Sequence, residues 1–510
     1  MMNVSPQIAI DSFGSGPERV SIFSISATRQ QLVLLLGITA VLLVGQLITG
    51  TDVVVAFEFA IAILFGMLSV LAGGGLRSAF GCLNAILIGK FLFLGVAGKV
   101  LLLEPADGTL RAPQTTALVM ATGFLGLFIG TKVQSSFSCP RFWSMNRPTS
   151  DDMLLAFSIV IFILSYLGYF ASMIPSTHGE GIRTGGWLGF ARAFGSLKSF
   201  AIVPPMLYLW RKKARLWMTH PAILALLTWS ALVGIFSTSK EDALEPLTFY
   251  ALVGFIRYGL RDIRLWSFVS ASLLYYAVII FPYAQYVRHK GGREGSLAQR
   301  AEITKGIFWR IANDPNFRTA TSERMSAPAY FAEPTLSAFN RLAMVGEADR
   351  LVDATERQQA FTGWETIAWG FKLLTPSFLF PDKPIFEAGN HLAHIAGDVG
   401  SSDTTTQVSY GIMANFYNAF SLPGVLVGTS IFFAVFYYWI RIFLGDARWD
   451  GGPNASALWF IWLVASFQHS IVESAVSGLI ASLSFPFVLA VLWVAARWLS
   501  LFLPRKTVLA

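Results

Sequence analysis

Four cations stand where a phosphate-bearing ligand could use them: Arg183, Arg192, Lys198 and Lys240. Arg183 lies in Gly181-Ile182-Arg183-Thr184-Gly185-Gly186-Trp187, and Lys240 lies in Ser237-Thr238-Ser239-Lys240-Glu241-Asp242. A guanidinium can hold two phosphate oxygens at once, and an ammonium offers a point charge. As a group they would suit a lipid-linked diphosphate. Taken singly, each is explained as well by snorkelling to headgroups or by pairing with Glu180, Glu241 or Asp242. A second set follows further along. Arg341 and Arg350 lie nine apart on a helical pattern, with Arg357 seven further on. Then come Thr362-Gly363-Trp364-Glu365 and the run from Leu374 to Pro384, which holds Lys383. Such segments can stack on sugars and bind anions, although a solvated helix face is the plainer account of any single arginine.

His391 and His394 sit in Gly389-Asn390-His391-Leu392-Ala393-His394, with Asp398 close behind. A spacing of three can put both rings on one helix face as acid/base groups or metal ligands. Asn390 and Gly397 argue for a loop, and no carboxylate follows His391 in a metalloprotease frame. Metal binding is the least favoured role, and neither a metal nor another cofactor is expected. His469 and Glu473, four apart, read as a hydrogen-bonded pair before an acid/base one. Lys90 and Lys99 fall inside an apolar run, where a cation is costly enough to suggest function. A bond from Lys90 to backbone carbonyls or to Glu58 is as good an account.

These residues must be positioned by a membrane bundle. Of 510 residues, 54% are hydrophobic and 13% charged, and Phe (43) outnumbers Lys plus Arg (38). That excludes an ordinary soluble enzyme, a disordered chain and a disulfide scaffold. Runs near the required length of about 20 apolar residues occur at 31–48, 53–71, 80–103, 115–133, 153–174, 194–210, 221–236, 243–256, 265–286, 423–444, 455–468 and 478–503. The expectation is an all-α polytopic membrane protein with about twelve spans. With the amino terminus inside, the cytoplasmic turns hold Arg77, Lys132, Arg211, Lys212, Lys213, Arg257, Arg441 and Arg448 among others. This bias predicts both termini inside. The net charge of +8 is then an orientation signal, and no nucleic-acid face is expected. Gly73-Gly74-Gly75 reads as a turn between spans and not as a phosphate loop.

The chain divides into a cytoplasmic tail (1–30), nine spans (31–286), a large outer loop (287–411), three spans (412–503) and a second tail (504–510). The loop is nearly neutral, with helical patterns over Leu297–Ile311 and Leu336–Leu351. A structureless loop of this length would be unusual, so it should fold or dock on the membrane face. A transporter of twelve spans should show a repeat dividing after the sixth. No repeat is seen.

This arrangement resembles the Wzy-type O-antigen and exopolysaccharide repeat-unit polymerases, in the group that includes the O-antigen ligases. Phe361-Thr362-Gly363-Trp364-Glu365, followed by Pro381-Asp382-Lys383-Pro384, is similar to the group's passage late in the loop. Tyr410 to Gly424, with Asn415-Phe416-Tyr417-Asn418 inside it, is similar to its lead-in to the tenth span. Lys240 in Ser239-Lys240 stands where the group often has Ser-Arg. Two features depart: no Arg-x10-Gly pattern occurs at Arg183, Arg341 or Arg350, and Ser409-Tyr410 replaces the ligases' His-Asn pair. The second favours polymerase over ligase.

The resemblance implies a GT-C-like, metal-independent inverting glycosyltransferase in the bacterial inner membrane. Its substrate would be an undecaprenyl-diphosphate-linked oligosaccharide on the periplasmic side. Membrane lipid, a chain-length regulator and a flippase are the partners it brings. Arg183, Arg192, Lys240, Arg341, Arg350 and Lys383 would hold the diphosphate. His391, His394 or Asp398 would take the acceptor's proton. An O-antigen ligase and a polysaccharide or lipid transporter are the rival expectations.

Overall fold

A computed structural model describes residues 29–137, 150–172, 194–195, 197–214, 217–236, 240–259, 262–280, 343–365, 388–401, 408–445, 447–449, 457–464 and 475–503, with a few isolated positions besides. Among the described residues every regular element is helical. Six helices are long and apolar enough to cross a membrane, as a multi-pass membrane protein requires. Five come first: α1 (Arg29–Ile48), α2 (Val53–Ala72), α3 (Ala79–Leu101), α4 (Pro113–Ser136) and α5 (Asp151–Ser172).

Local chemistry sets their ends. Asp52 caps α2, its carboxylate accepting from Val54 and Val55 N–H. Pro113 opens α4, where its missing N–H costs nothing. The glycine run 73–75 forms the turn into α3, with Gly74 and Gly75 both left-handed.

The expected sixth span is not one straight helix. Phe194 and Gly195 are helical, residues 197–202 form turns and a short 3₁₀ segment, and the α-helix proper is α6 (Val203–Arg211). Pro204 and Pro205 explain this, because proline is accepted in a helix's first turn and breaks it further in. The segment is nevertheless buried from Phe200 to Val203. Next come α7 (Pro221–Phe236), α8 (Lys240–Tyr258) and α9 (Ile263–Tyr275), which continues as a π-helical turn through Ile280. The loop supplies α10 (Val345–Gln358) and α11 (Ala388–Ala396). The sixth long helix is α12 (Ile412–Leu444), and α13 (Ala475–Ser500) ends the described chain.

The core is a polar-pinned bundle. Gly126 and Gly130 of α4, spaced as Gly-x3-Gly, let α12 approach closely. A Cβ on Gly130 would stand 2.5 Å from the Ser430 carbonyl oxygen. At the same level Asn84 of α3 is fully buried. Its amide donates to the Ser69 carbonyl (2.9 Å) and the Thr131 hydroxyl (3.2 Å), and its oxygen accepts from the Tyr437 hydroxyl (2.6 Å). One side chain thus ties α2, α3, α4 and α12, all satisfied where no water can substitute.

The two ends of the bundle differ. At one end Arg441 donates to the Gln134 carbonyl (2.9 Å), Arg211 pairs with Asp151 (2.9 Å), and Trp449 N–H donates to the Arg77 carbonyl (2.9 Å). The other end receives the loop. There Lys99, buried in α3, pairs with Glu104 at 2.6 Å, which accounts for one of the two intramembrane lysines structurally.

Two irregular backbones shape the loop end. In α3 a π-helical turn spans Gly89–Phe93. Leu94 N–H donates five residues back to Gly89, and the Lys90 carbonyl accepts from Met344 N–H at 3.0 Å. In α12 the helix breaks at Phe420 and Ser421, the latter at φ 57°, ψ −157°. The chain doubles back there. Gly428 makes room for Phe416, whose Cδ1 would lie 2.6 Å from a Cβ on Gly428. In a straight helix those residues would be ~18 Å apart along the axis. Residues 412–419 therefore form a re-entrant turn ahead of the span proper, which starts near Pro423.

Candidate functional site

α10 carries Glu347, Asp349, Arg350, Asp353, Glu356 and Arg357 in 14 residues, the pattern of a surface helix. Yet every residue from Val345 to Thr355 is buried. A polar helix can be buried in an apolar bundle only if its charges are met.

Asp349 meets the start of α4. Its carboxylate accepts from Arg111 N–H (2.7 Å), Ala112 N–H (3.0 Å) and the Thr116 hydroxyl (2.8 Å). It acts as an N-cap supplied from 237 residues away, at the positive end of the helix dipole. Burial pushes the Asp349 carboxyl up from its ordinary value, and these three donors pull part of the way back. Asp353 holds Arg357 at 2.5 Å, and Glu356 accepts from the Thr115 hydroxyl at 3.2 Å.

Arg350 joins the two loop helices. Its guanidinium donates to Asp398 (2.6 Å) and to Glu347, one turn back on α10. Asp398 also accepts from the Tyr410 hydroxyl. Burial, then the hydrogen bond and charge of Asp398, push the Tyr410 phenol well above its ordinary value, so it remains a donor. The position of Asp398 follows from the end of α11. Gly397, at φ 73°, turns the chain. Gly397 N–H bonds the His394 carbonyl (3.2 Å) and Asp398 N–H bonds the Ala393 carbonyl (2.9 Å). This is a Schellman turn. It leaves a carboxylate at the negative end of a helix, an unfavourable place that the Arg350 guanidinium and the Tyr410 hydroxyl offset.

His391 and His394 lie on a helix, α11, where Asn390 and Gly397 had argued for a loop. Gly397 ends the helix; it does not dissolve it. His394 Nε2 is 2.9 Å from the Asp403 carbonyl. A carbonyl only accepts, so Nε2 is the donor of this bond. Both rings are half-buried.

The floor of this polar insertion is the π turn of α3. It meets α10 through Lys90 and Met344, and Phe91 packs where Gly411 has no side chain. A Cβ on Gly411 would lie 2.1 Å from Phe91 Cε1. Lys90, half-buried, therefore sits among loop residues near the middle of its helix. The ceiling is a cap on the re-entrant turn. Thr362 and Gly363 N–H donate to the Asn418 and Ala419 carbonyls (3.0 and 3.1 Å). The Asn418 amide donates to the Thr355 hydroxyl (2.9 Å) and the Ala360 carbonyl (3.0 Å).

The structure thus joins Arg350 to Asp398, and sets the two histidines on the helix that Asp398 follows. Lys240 begins α8, and its side chain lies outside the described residues, as do Arg183, Arg192, Arg341, Lys383, His469 and Glu473. Lys198 is buried, with its ammonium 5.0 Å from the centre of the Tyr169 ring. Glu347 and Asp349 were not singled out by sequence reasoning. The one available signal was the density of charge on a helix that also carries Val345, Ala348, Leu351 and Val352. Among the described residues no three His, Cys, Asp or Glu side chains gather as a metal ion requires. No protein-family profile, characterised protein or solved structure matches the chain.

Proposed function

We propose that the chain is a periplasmic-face glycosyltransferase that polymerises oligosaccharide repeat units carried on undecaprenyl diphosphate. The observation that carries the reading is the burial of α10, a charged loop helix, among apolar spans. A large loop that buries acids and an arginine at the end of a membrane bundle suits a substrate with a lipid anchor and a polar head. The resemblance to the Wzy-type polymerases supplies the reaction.

In this reading an acceptor sugar hydroxyl attacks the anomeric carbon of the donor, and the diphosphate leaves with its electron pair. Cations near the departing oxygens stabilise the charge that develops. Arg350 already serves two carboxylates, so that task falls on Arg183, Arg192, Lys240, Arg341 and Lys383. Asp398 is likewise held, by Arg350 and Tyr410, and acts as a positioning residue. The proton of the acceptor goes to a histidine. His394 is the candidate, because the Asp403 carbonyl holds its Nε2 and leaves Nδ1 to face a proton.

The broken α12 favours a second reading, a transporter, since discontinuous helices often offer bare carbonyls to a coupling ion. Here the Asn418 and Ala419 carbonyls are already capped by Thr362 and Gly363, which weighs towards the enzyme. Chromosomal deletion separates the readings. Accumulation of single lipid-linked repeat units, with polymer lost, is the expected result. Loss of unpolymerised and polymerised glycan alike would point to transport instead.

A further inference from the structure

Trp364 presents a problem of its own. It is 71% exposed, yet its backbone is anchored by hydrogen bonds on both sides. The two residues before it bond the end of the re-entrant turn, and Glu365 N–H closes a tight turn onto the Thr362 carbonyl at 3.1 Å. Gly363 takes φ 56° there, a conformation that side chains resist. The indole meets Phe420 edge to face, with ring centres 5.0 Å apart. Three residues back, Phe361, 40% exposed, makes a tilted contact with Tyr417 at 6.2 Å. Phe361 and Trp364 on one segment thus match Tyr417 and Phe420 on the other. Tilted contacts of this kind support a ring while leaving much of its surface open.

The rim is polar and acidic. The Tyr417 hydroxyl interacts with the Ser421 hydroxyl and with the Glu356 carboxylate. Glu365 is exposed beside Trp364. The supporting backbone includes Ser421, held at φ 57°, ψ −157°, a region nearly reserved for glycine. Strain of that kind persists where surroundings over-determine it, and it clusters at binding sites.

We propose that Phe361 and Trp364 form a carbohydrate-stacking platform that holds the acceptor glycan beside the buried α10 site. A pyranose has an apolar face of C–H groups and a belt of hydroxyl donors. The face fits an open, rigid indole, and the hydroxyls fit carboxylate and hydroxyl acceptors at the rim. Two carboxylates there disfavour the anionic headgroups that an interfacial anchor would meet. Because the rings are already ordered, binding loses little side-chain freedom. The choice of ligand rests on the polymerase reading; the existence of the platform does not.

The test uses the full chain in lipid nanodiscs. The probe is the lipid-free oligosaccharide released by mild acid from the cell's own lipid-linked glycans, and binding is read by saturation-transfer NMR and calorimetry. Trp364→Ala should weaken binding about tenfold, and Trp364→Phe should recover most of it. The Ala variant should keep its thermal midpoint, since the ring is mostly in solvent. Equal binding by wild type and Trp364→Ala, or no binding by either, overturns the platform. Binding involves no chemistry. Trp364-dependent binding by a protein whose deletion leaves polymer length unchanged would uphold the platform and sink the polymerase reading.

Discussion

At the residue scale, the polar interior rests on paired charges whose partners cannot be removed singly. Asp398 satisfies Arg350 and Tyr410 together. Asp398→Asn keeps the shape but leaves the guanidinium short of one counter-charge. Breaking a buried pair typically costs about 3–5 kcal/mol. The variant should therefore lose its thermal midpoint by many degrees in a detergent melt, whereas Tyr410→Phe, which removes one hydroxyl, should cost about 1–2 kcal/mol. Equal effects would mean that Arg350 is not the dominant partner. His394 answers to a different measurement. His394→Gln should lower polymer synthesis about a hundredfold or more, at unchanged protein level in the membrane. Full synthesis in that variant would remove the proton-accepting role. Arg183→Ala and Lys240→Ala should likewise depress synthesis without depressing protein, since both are assigned to the departing diphosphate.

At the element scale, the sequence makes some helices plain and hides others. α1 to α5 fall on the apolar runs at 31–48, 53–71, 80–103, 115–133 and 153–174, because a span must be apolar throughout and capping groups such as Asp52 and Pro113 mark the ends. The run at 194–210 misleads because composition ignores Pro204 and Pro205. α10 is hidden for a deeper reason. Its charges look solvated locally, and what buries them lies far along the chain: Arg111 and Thr116 for Asp349, Asp398 for Arg350. The re-entrant turn 412–419 is hidden as well: Pro423 and Gly424 mark where the span begins, but only the backbone at Phe420–Ser421 reveals that the chain reverses there. Asn418 is the test of that element. Asn418→Leu would take from the Ala360 carbonyl its Asn418 donor and from the Thr362 hydroxyl its Asn418 acceptor, while the Thr355 hydroxyl keeps its bond to the Leu351 carbonyl; an unpaired buried group costs about 1–3 kcal/mol. Limited proteolysis should then cut the 355–365 segment in the variant and spare it in the wild type. Identical digestion patterns would show that the cap contributes nothing.

At the scale of the whole molecule, the two ends of the bundle carry different jobs. Arg77, Arg441 and Arg448 bond backbone at one end. α10, α11 and the aromatic segment occupy the other. With Cys82 and Cys139 replaced, single cysteines at Arg77 and Arg448 should react with an impermeant maleimide from the same side, and one at Glu365 from the opposite side. Labelling of all three from one side would break the topology on which the proposal depends. The candidate site is legible in the sequence only in part. His391, His394, Asp398 and Arg350 are found by type and spacing, but the pairing of Arg350 with Asp398 depends on a loop folding into a bundle, which no local pattern encodes.

The central claim is that this chain lengthens lipid-linked glycans at the loop face. Purified protein in liposomes, given undecaprenyl-diphosphate-linked repeat units and EDTA, should convert them into a ladder of longer lipid-linked products while releasing free undecaprenyl diphosphate. Repeat units that remain single after prolonged incubation with folded, correctly oriented protein would contradict it.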